Sequence, residues 1–359
     1  MQFSLLLNIV GVLAYPAVEY VSDPATLPYA DWMSYFTDFR VADLPMLPAS
    51  HDSGAAKVSE SEDWLGLVAW LYAQTQTNSI MNQLLLGVRL LDLRLWVTFD
   101  EFDLDDSIYL SHTFRSNLTL ANTLAQVRQF LVEHPTEFVV LMTRIDAQHQ
   151  LRTESERKQK FVESFFVDAG IDFANVSDSL TTVTVGDLAG KVVVMAPYGS
   201  VLPNNSVVPI IDRDTQYAVC DIYLLSSIFT AKERMATCFP QVPEAMAETG
   251  VLTGYALDGH FDQLWPNLTS PEVNDWWVYN FQNNPLWVRR KLQPVGMMMI
   301  DFCEPKYMSV QLDYIMNFAY PYPYDGAKDP WKPGMKIFVN SATLAPALVA
   351  FILSIFNAF

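Results

Sequence analysis

Leu47-Pro48-Ala49-Ser50-His51-Asp52-Ser53-Gly54 closes a short apolar run on a histidine–aspartate pair. Further on, Gly87-Val88-Arg89-Leu90-Leu91-Asp92-Leu93-Arg94 and Ile108-Tyr109-Leu110-Ser111-His112 do the same with other ionisable groups. In each, a polar side chain stands where a leucine-rich or β-branched run gives out, the place where a barrel strand hands over to its loop. Asp92 and Arg94 are two residues apart, so a strand turns both to one face. Asp-x-Arg is often no more than a salt bridge, worth little when exposed. On an apolar strand, however, such charges are costly unless paired and used.

Outward from these segments, strand-length apolar runs recur at Val88–Val97, Ser107–His112, Phe138–Arg144, Lys191–Ala196, Tyr217–Leu225, Gly250–Leu257 and Val295–Phe302. Their near-continuous hydrophobicity predicts strands covered on both faces. Helices are predicted at Thr119–Glu133 and Glu154–Asp168. Leu120, Leu124, Val127, Phe130 and Leu131 form the apolar stripe of the first, Asn117 or Thr119 its cap, and His134-Pro135 its end. Alternating strands and helices give an α/β fold, a TIM-type (β/α) barrel that need not be regular or fully closed. Pro203–Pro209 and Trp265–Trp287 read as long surface loops. In a barrel, active groups gather at the carboxyl ends of strands, where His51, Arg94, His112, Arg144, Asp221 and Asp301 fall.

The 359 residues suit one barrel with terminal appendages, over about 30–325. A hydrophobic content of 51% excludes a disordered chain. A net charge of −18 leaves no basic stripe for nucleic acid, and none for strong docking on anionic lipid. Phosphate must be held locally, by a few placed cations.

Both ends resemble targeting segments. Residues 1–14 read as a signal peptide, with an apolar stretch Leu5 to Leu13 and a small-residue cleavage site at Val12-Leu13-Ala14. Residues 326–359 read as a spacer and an uncharged apolar tail, suited to a glycosylphosphatidylinositol attachment signal or a plain membrane anchor. Sequons at Asn117, Asn175, Asn204 and Asn267 agree with a secretory route to the cell surface or beyond. Of three cysteines, Cys220 and Cys238 close the shorter loop and are the expected disulfide, leaving Cys303 as a buried thiol. Trp265, Trp276, Trp277, Tyr279, Phe281 and Trp287 are either interfacial anchors for a bilayer or core residues.

Cleaving a phosphodiester through a neighbouring hydroxyl needs a base, an acid and fixed positive charge on the phosphoryl oxygens. Histidines serve as base and acid because either form is accessible near neutral pH. Carboxylates orient the rings, and an arginine offers a permanent planar fork to phosphate. A lone strand histidine is more often structural; two of them with Arg94, Asp92 and Asp52 form a set that this chemistry needs.

These residues carry a resemblance to the X domain of phosphatidylinositol-specific phospholipase C, in particular the bacterial, metal-independent type. Pro48 to Gly54 is similar to the family's Pro-x-Thr/Ser-His-Asp-Ser-Gly. Gln83 through Arg94 resembles Gln-Leu-x-x-Gly-x-Arg-x-x-Asp-x-Arg, and a strand ending in His follows at His112. His134-Pro135-Thr136-Glu137 and Phe138-Val139-Val140-Leu141 are also similar. The likeness is strong over Leu47 to Arg144 and thin to about residue 303.

The resemblance implies His51 as general base toward the inositol 2-hydroxyl and His112 as general acid on the diacylglycerol oxygen. It implies Asp52 as partner of His112, Arg94 with Asp92 at the phosphate, and Asp301 as support of the base. Arg144, Asp221 and Tyr223 would bind the inositol. Arg144 stands where the bacterial enzymes use Lys, and Pro197 where the family has a head-group arginine. The calcium-dependent branch has an acidic metal ligand at the position of Arg94, so no metal and no cofactor is expected. The implied function is an extracellular phosphoric diester hydrolase, a monomer acting at a membrane surface on phosphatidylinositol or its glycosylated form, through a cyclic inositol phosphate. The competing functions are a phosphodiesterase on another phospholipid or a glycerophosphodiester, and an inactive, surface-tethered lipid or glycan binder.

Overall fold

The computed structural model describes residues 29–56, 73–97, 107–112, 114–145, 155–176, 180, 182–197, 200–212, 217–220, 252–257, 266–283 and 297–319. All lie within one compact unit, Met1–Tyr320. Residues 1–14 and 326–359, read in the sequence as targeting segments, lie outside the described residues.

In chain order the strands are β1 (Leu47–Ser50), β2 (Leu90–Val97), β3 (Ile108–His112), β4 (Phe114–Thr119), β5 (Val139–Ile145), β6 (Val192–Ala196), β7 (Ile210–Asp212), β8 (Tyr217–Cys220), β9 (Leu252–Leu257) and β10 (Met297–Ile300). The helices are α1 (Ile80–Leu85), α2 (Leu120–Glu133), α3 (Ser155–Asp168), α4 (Val185–Leu188), α5 (Pro266–Asn283) and α6 (Pro305–Ala319). Hydrogen-bonded neighbours run β7-β6-β5-β2-β1-β10-β9-β8, and the ladders along this path are parallel. This is an α/β barrel wall. Among the described residues no ladder joins β7 to β8, so the wall is open there.

The apolar runs explain the strands. Val192–Ala196 and Met297–Ile300 are buried along their whole length, as parallel strands sandwiched between helices and a barrel interior must be. Helix α2 follows its apolar stripe: Leu120, Leu124, Val127, Phe130 and Leu131 are buried, and the Thr119 side chain caps it by accepting from Asn122 N. His134 is the C-cap, ahead of Pro135.

Two sequence expectations are corrected and one strand is added. Trp265–Trp287 is not a loop, since α5 occupies Pro266–Asn283. Its Asn and Trp content concealed a helix whose buried face is partly polar. β4 had not been foreseen; its mixed sequence FRSNLT lacks an apolar run. Nor is β3 a barrel strand, because it pairs antiparallel with β2 and with β4. The β3–β4 hairpin leaves the wall beside β2 and returns with His112 at the turn.

The floor at the amino ends of the strands is held by a buried ion pair. Arg89 Nη2 lies 2.7 Å from Glu137 Oε2, with both side chains fully buried. Arg89 also donates to the carbonyls of Leu84, Val88 and Ala30, and lies over the Phe130 ring at 4.7 Å. Met33 N donates to the same Glu137 oxygen, which fastens the segment around Trp32 beneath the barrel. Gly87, at φ +100°, lets the chain turn from α1 into β2 while its carbonyl accepts from Trp32 Nε1.

Candidate active site

The carboxyl ends of β1, β2, β5 and β10, together with the turn of the β3–β4 hairpin, bring seven ionisable groups together. β1 delivers His51 and Asp52, β2 Asp92 and Arg94, β5 Arg144, β10 Asp301, and the hairpin His112. His51 N donates to Ile300 O and Ser53 N to Asp92 O, so the loop after β1 is sewn to both neighbouring strands. Asp52 takes φ +41°, an uncommon backbone state for a side chain-bearing residue, and Thr75 Oγ1 and Gln83 Nε2 donate to the carbonyls around it. Gly54 is required by close approach: a Cβ there would fall 2.5 Å from Leu110 Cβ of β3.

The His51 and His112 rings lie with centroids 6.2 Å apart, at 69°. Asp52 sits between them, its Oδ2 at 3.4 Å from Nε2 of each. Arg94 pairs through Nε with Asp52 Oδ1 and directs Nη2 at His51 Nε2, 2.9 Å away. Asp92 Oδ2 accepts from Asp52 N and lies 3.8 Å from Arg94 Nε and 3.9 Å from Arg144 Nη2. His51 Nδ1 faces Asp301 Oδ1 at 2.8 Å.

The ring partners separate the two histidines chemically. His51 has a carboxylate acceptor at Nδ1, while its Nε2 meets both the Arg94 donor and Asp52 Oδ2 at 3.4 Å, so that atom is contested between a lone pair and a proton. His112 has acceptors at both nitrogens, Ala73 O at 3.0 Å from Nδ1 and Asp52 at Nε2, which suits an imidazolium. Burial lowers the pKa of His51, but Asp52 and Asp301 outweigh it and push the ring up to about 10, with Arg94 acting against them. A guanidinium N–H donates to Nε2 only while that atom carries its lone pair, so Arg94 and the carboxylates compete over this one proton. Burial pushes Asp52 up to about 6, against Arg94 and His51, which hold it down. The rings are only 4% and 5% exposed, whereas the Arg94 and Arg144 side chains are 18% and 36% exposed; solvent reaches the cluster from the guanidinium side.

Ligand atoms of His51, Asp52 and Asp92 lie close enough together to hold a cation. The Arg94 guanidinium already pairs with Asp52 and approaches Asp92, so a metal would compete with it for the same carboxylates. The donor set is therefore already served by an organic cation.

Residues 61–197 match the family model "Phosphatidylinositol-specific phospholipase C, X domain". Over those residues the chain is similar to that domain. The chain is 33% identical over 135 residues to zebrafish (Danio rerio) PI-PLC X domain-containing protein 1, covering 32% of this chain and 43% of that protein. Against zebrafish PI-PLC X domain-containing protein 3 it is 30% identical over 161 residues, 38% of this chain and 47% of that one. These matches span less than half the length of either relative. The phosphatidylinositol-specific phospholipase C of Listeria monocytogenes superposes with a TM-score of 0.59 at 20% identity, covering 80% of this chain and 99% of that one. The corresponding Staphylococcus aureus enzyme gives 0.61 at 14% identity, covering 82% and 99%. At such identities the superposition establishes the TIM-barrel fold.

Of the residues singled out in the sequence, His51, Asp52, Asp92, Arg94, His112, Arg144 and Asp301 meet in this one cluster. His112 arrives on an antiparallel hairpin instead of a barrel strand. Asp221, Tyr223 and Cys238 lie outside the described residues, as does the Cys220 side chain. Cys303 is a buried free thiol. Asn117, Asn175 and Asn204 are exposed; Asn267 falls in α5. Trp277 is fully buried against Tyr307, which removes it from any membrane-facing role, while Tyr279 is 45% exposed.

Three site residues escaped the sequence reading. Gln76 donates through Nε2 to the carbonyls of His51 and Ile300 and accepts from Cys303 N, clamping β1 to β10. Ser270 and Asn274 of α5 bond to Asp301. The one available signal was polar residues four apart in a segment otherwise rich in aromatics.

Proposed function

We propose that this barrel cleaves phosphatidylinositol, or its glycosylated form, by general acid–base catalysis without a metal. His51 Nε2 takes the proton of the inositol 2-hydroxyl, whose oxygen bonds to phosphorus. The bond from phosphorus to the diacylglycerol oxygen breaks, and His112 Nε2 supplies the proton that oxygen needs. The products are a cyclic inositol phosphate and a neutral lipid, the cyclic ester being open to a second attack by water. Arg94 binds the phosphoryl oxygens with a charge that never titrates, and Arg144 adds a second cation on the open side. When phosphate draws Arg94 from His51, Nε2 is released to act as base, and Asp301 steadies the imidazolium that forms.

The observation that carries this reading is the asymmetric environment of the two rings around Asp52 and Arg94. A guanidinium on the carboxylates supports metal independence, since it supplies the cation the phosphate needs. The apolar ends and exposed sequons support an extracellular, surface-attached protein. Among the described residues no helix is long and apolar enough to cross a membrane.

The test is phosphorus NMR of purified protein with phosphatidylinositol micelles in excess chelator. A cyclic inositol phosphate resonance that appears before the acyclic one is the expected result. Activity abolished by chelator and restored by calcium would contradict metal independence. Acyclic phosphate alone would contradict the intramolecular step.

A further inference from the structure

Helix α5 turns a buried polar stripe toward Asp301. Ser270, Asn274 and Trp277 recur at helical spacing, and all three are fully buried. Ser270 Oγ donates to Asp301 Oδ2 at 2.6 Å, while Oδ1 of the same carboxylate faces His51 Nδ1 at 2.8 Å. Asn274 Nδ2 donates to the Asp301 carbonyl at 2.8 Å, and its Oδ1 accepts from Trp277 Nε1 at 3.2 Å. Helix, carboxylate and imidazole therefore form one line of hydrogen bonds, Asn274 fixing the backbone of Asp301 and Ser270 its side chain. A buried hydroxyl is costly unless bonded, and an apolar residue would serve packing alone.

We infer that Ser270 is a positioning residue for the base: by holding one oxygen of Asp301 it aims the other at His51 and sets how firmly the ring keeps its proton. The inference rests on the proposed role of His51. The physical basis is that a donor to an ionised carboxylate stabilises the charge and weakens the carboxylate as an acceptor elsewhere. Without Ser270, Asp301 becomes the stronger partner of Nδ1–H. His51 then holds its second proton more tightly, and less free base exists at neutral pH. Ser270 lies behind the carboxylate, away from substrate, so its effect belongs in kcat and its pH dependence and not in KM.

A ring titration by NMR on histidine-labelled protein separates this role from mere packing, with the His51 signal identified by its absence in His51→Gln. In Ser270→Ala the His51 pKa should rise by roughly one pH unit, the size of one charge-assisted hydrogen bond. The acid limb of kcat should move with it, kcat at neutral pH should fall about tenfold, and KM should hold. Ser270→Thr, which keeps the hydroxyl, should restore the titration. In an Asp301→Asn background the Ser270→Ala change should alter nothing further. An unchanged His51 titration in folded Ser270→Ala would overturn the inference, as would an equal loss of kcat in the Asp301→Asn background. If Ser270→Ala fails to fold, Ser270→Cys keeps the bulk with a far weaker donor, and an unmoved titration there is equally fatal. Should the wild type release no cyclic phosphate, the reaction assigned to His51 falls, while the ring titration still decides the role of Ser270.

Discussion

Asp52 concentrates the local conflict of the site. It is buried, adopts a left-handed backbone angle, and faces two imidazoles and a guanidinium at once. Its pKa, raised to about 6, means the folded protein holds this proton more tightly than the unfolded chain. The folded state therefore loses stability as pH rises from about 4 through 6 and carries that cost above it. Asp52→Asn, which also tolerates positive φ, should keep the fold with little change in melting temperature yet cut kcat by about 10²-fold or more. Unaltered kcat would show the carboxylate to be structural only. The raised His51 value predicts an acid limb of the rate–pH profile above the ordinary histidine range near 6.5; a limb at or below 6.5 would contradict it. At this scale the sequence was informative: ionisable residues closing apolar runs, read with the family motifs they resemble, name all seven of the clustered groups. What stayed hidden was which nitrogen of each ring meets a donor and which an acceptor, because such contacts join residues far apart in the chain, as His51 and Asp301 are.

Elements were legible where a single period dominates. The runs at β5, β6 and β10 and the stripe of α2 follow burial directly. The hairpin and α5 were not legible, for opposite reasons. β3 has an ordinary strand sequence, and nothing local says that it pairs antiparallel with β2. Helix α5 carries Pro271, several Asn residues and a polar stripe toward Asp301, so polar contacts to that residue replace the apolar periodicity that marks a helix. The consequence for its tryptophans is testable. Trp277→Ala should destabilise the fold by about 3–5 kcal/mol in denaturant unfolding, as removal of a fully buried aromatic does. Stability unchanged by that substitution would place the ring outside the core.

Across the described barrel, the proposed chemistry and a buried ion pair occupy opposite ends. The amino ends of β2 and β5 are tied by Arg89 and Glu137, both fully buried. Glu137→Ala strands a buried guanidinium and should cost about 3–5 kcal/mol while leaving kcat of the folded fraction intact. A selective loss of kcat would mean the two ends are coupled. The barrel class itself was readable from alternating strands and helices. That β7 and β8 would be the pair sharing no ladder among the described residues was not, since it depends on which edges pair and not on what either strand contains.

At the carboxyl end two similar rings have distinct proposed jobs, and leaving-group dependence tests that division most directly. His112→Ala should lower kcat/KM on phosphatidylinositol by about 10²–10⁴-fold, yet recover most of it on an inositol nitrophenyl phosphate, whose leaving group departs without a proton. His51→Ala should be impaired on both substrates. Equal losses on both substrates for both variants, or losses under tenfold, would contradict a base at His51 and an acid at His112.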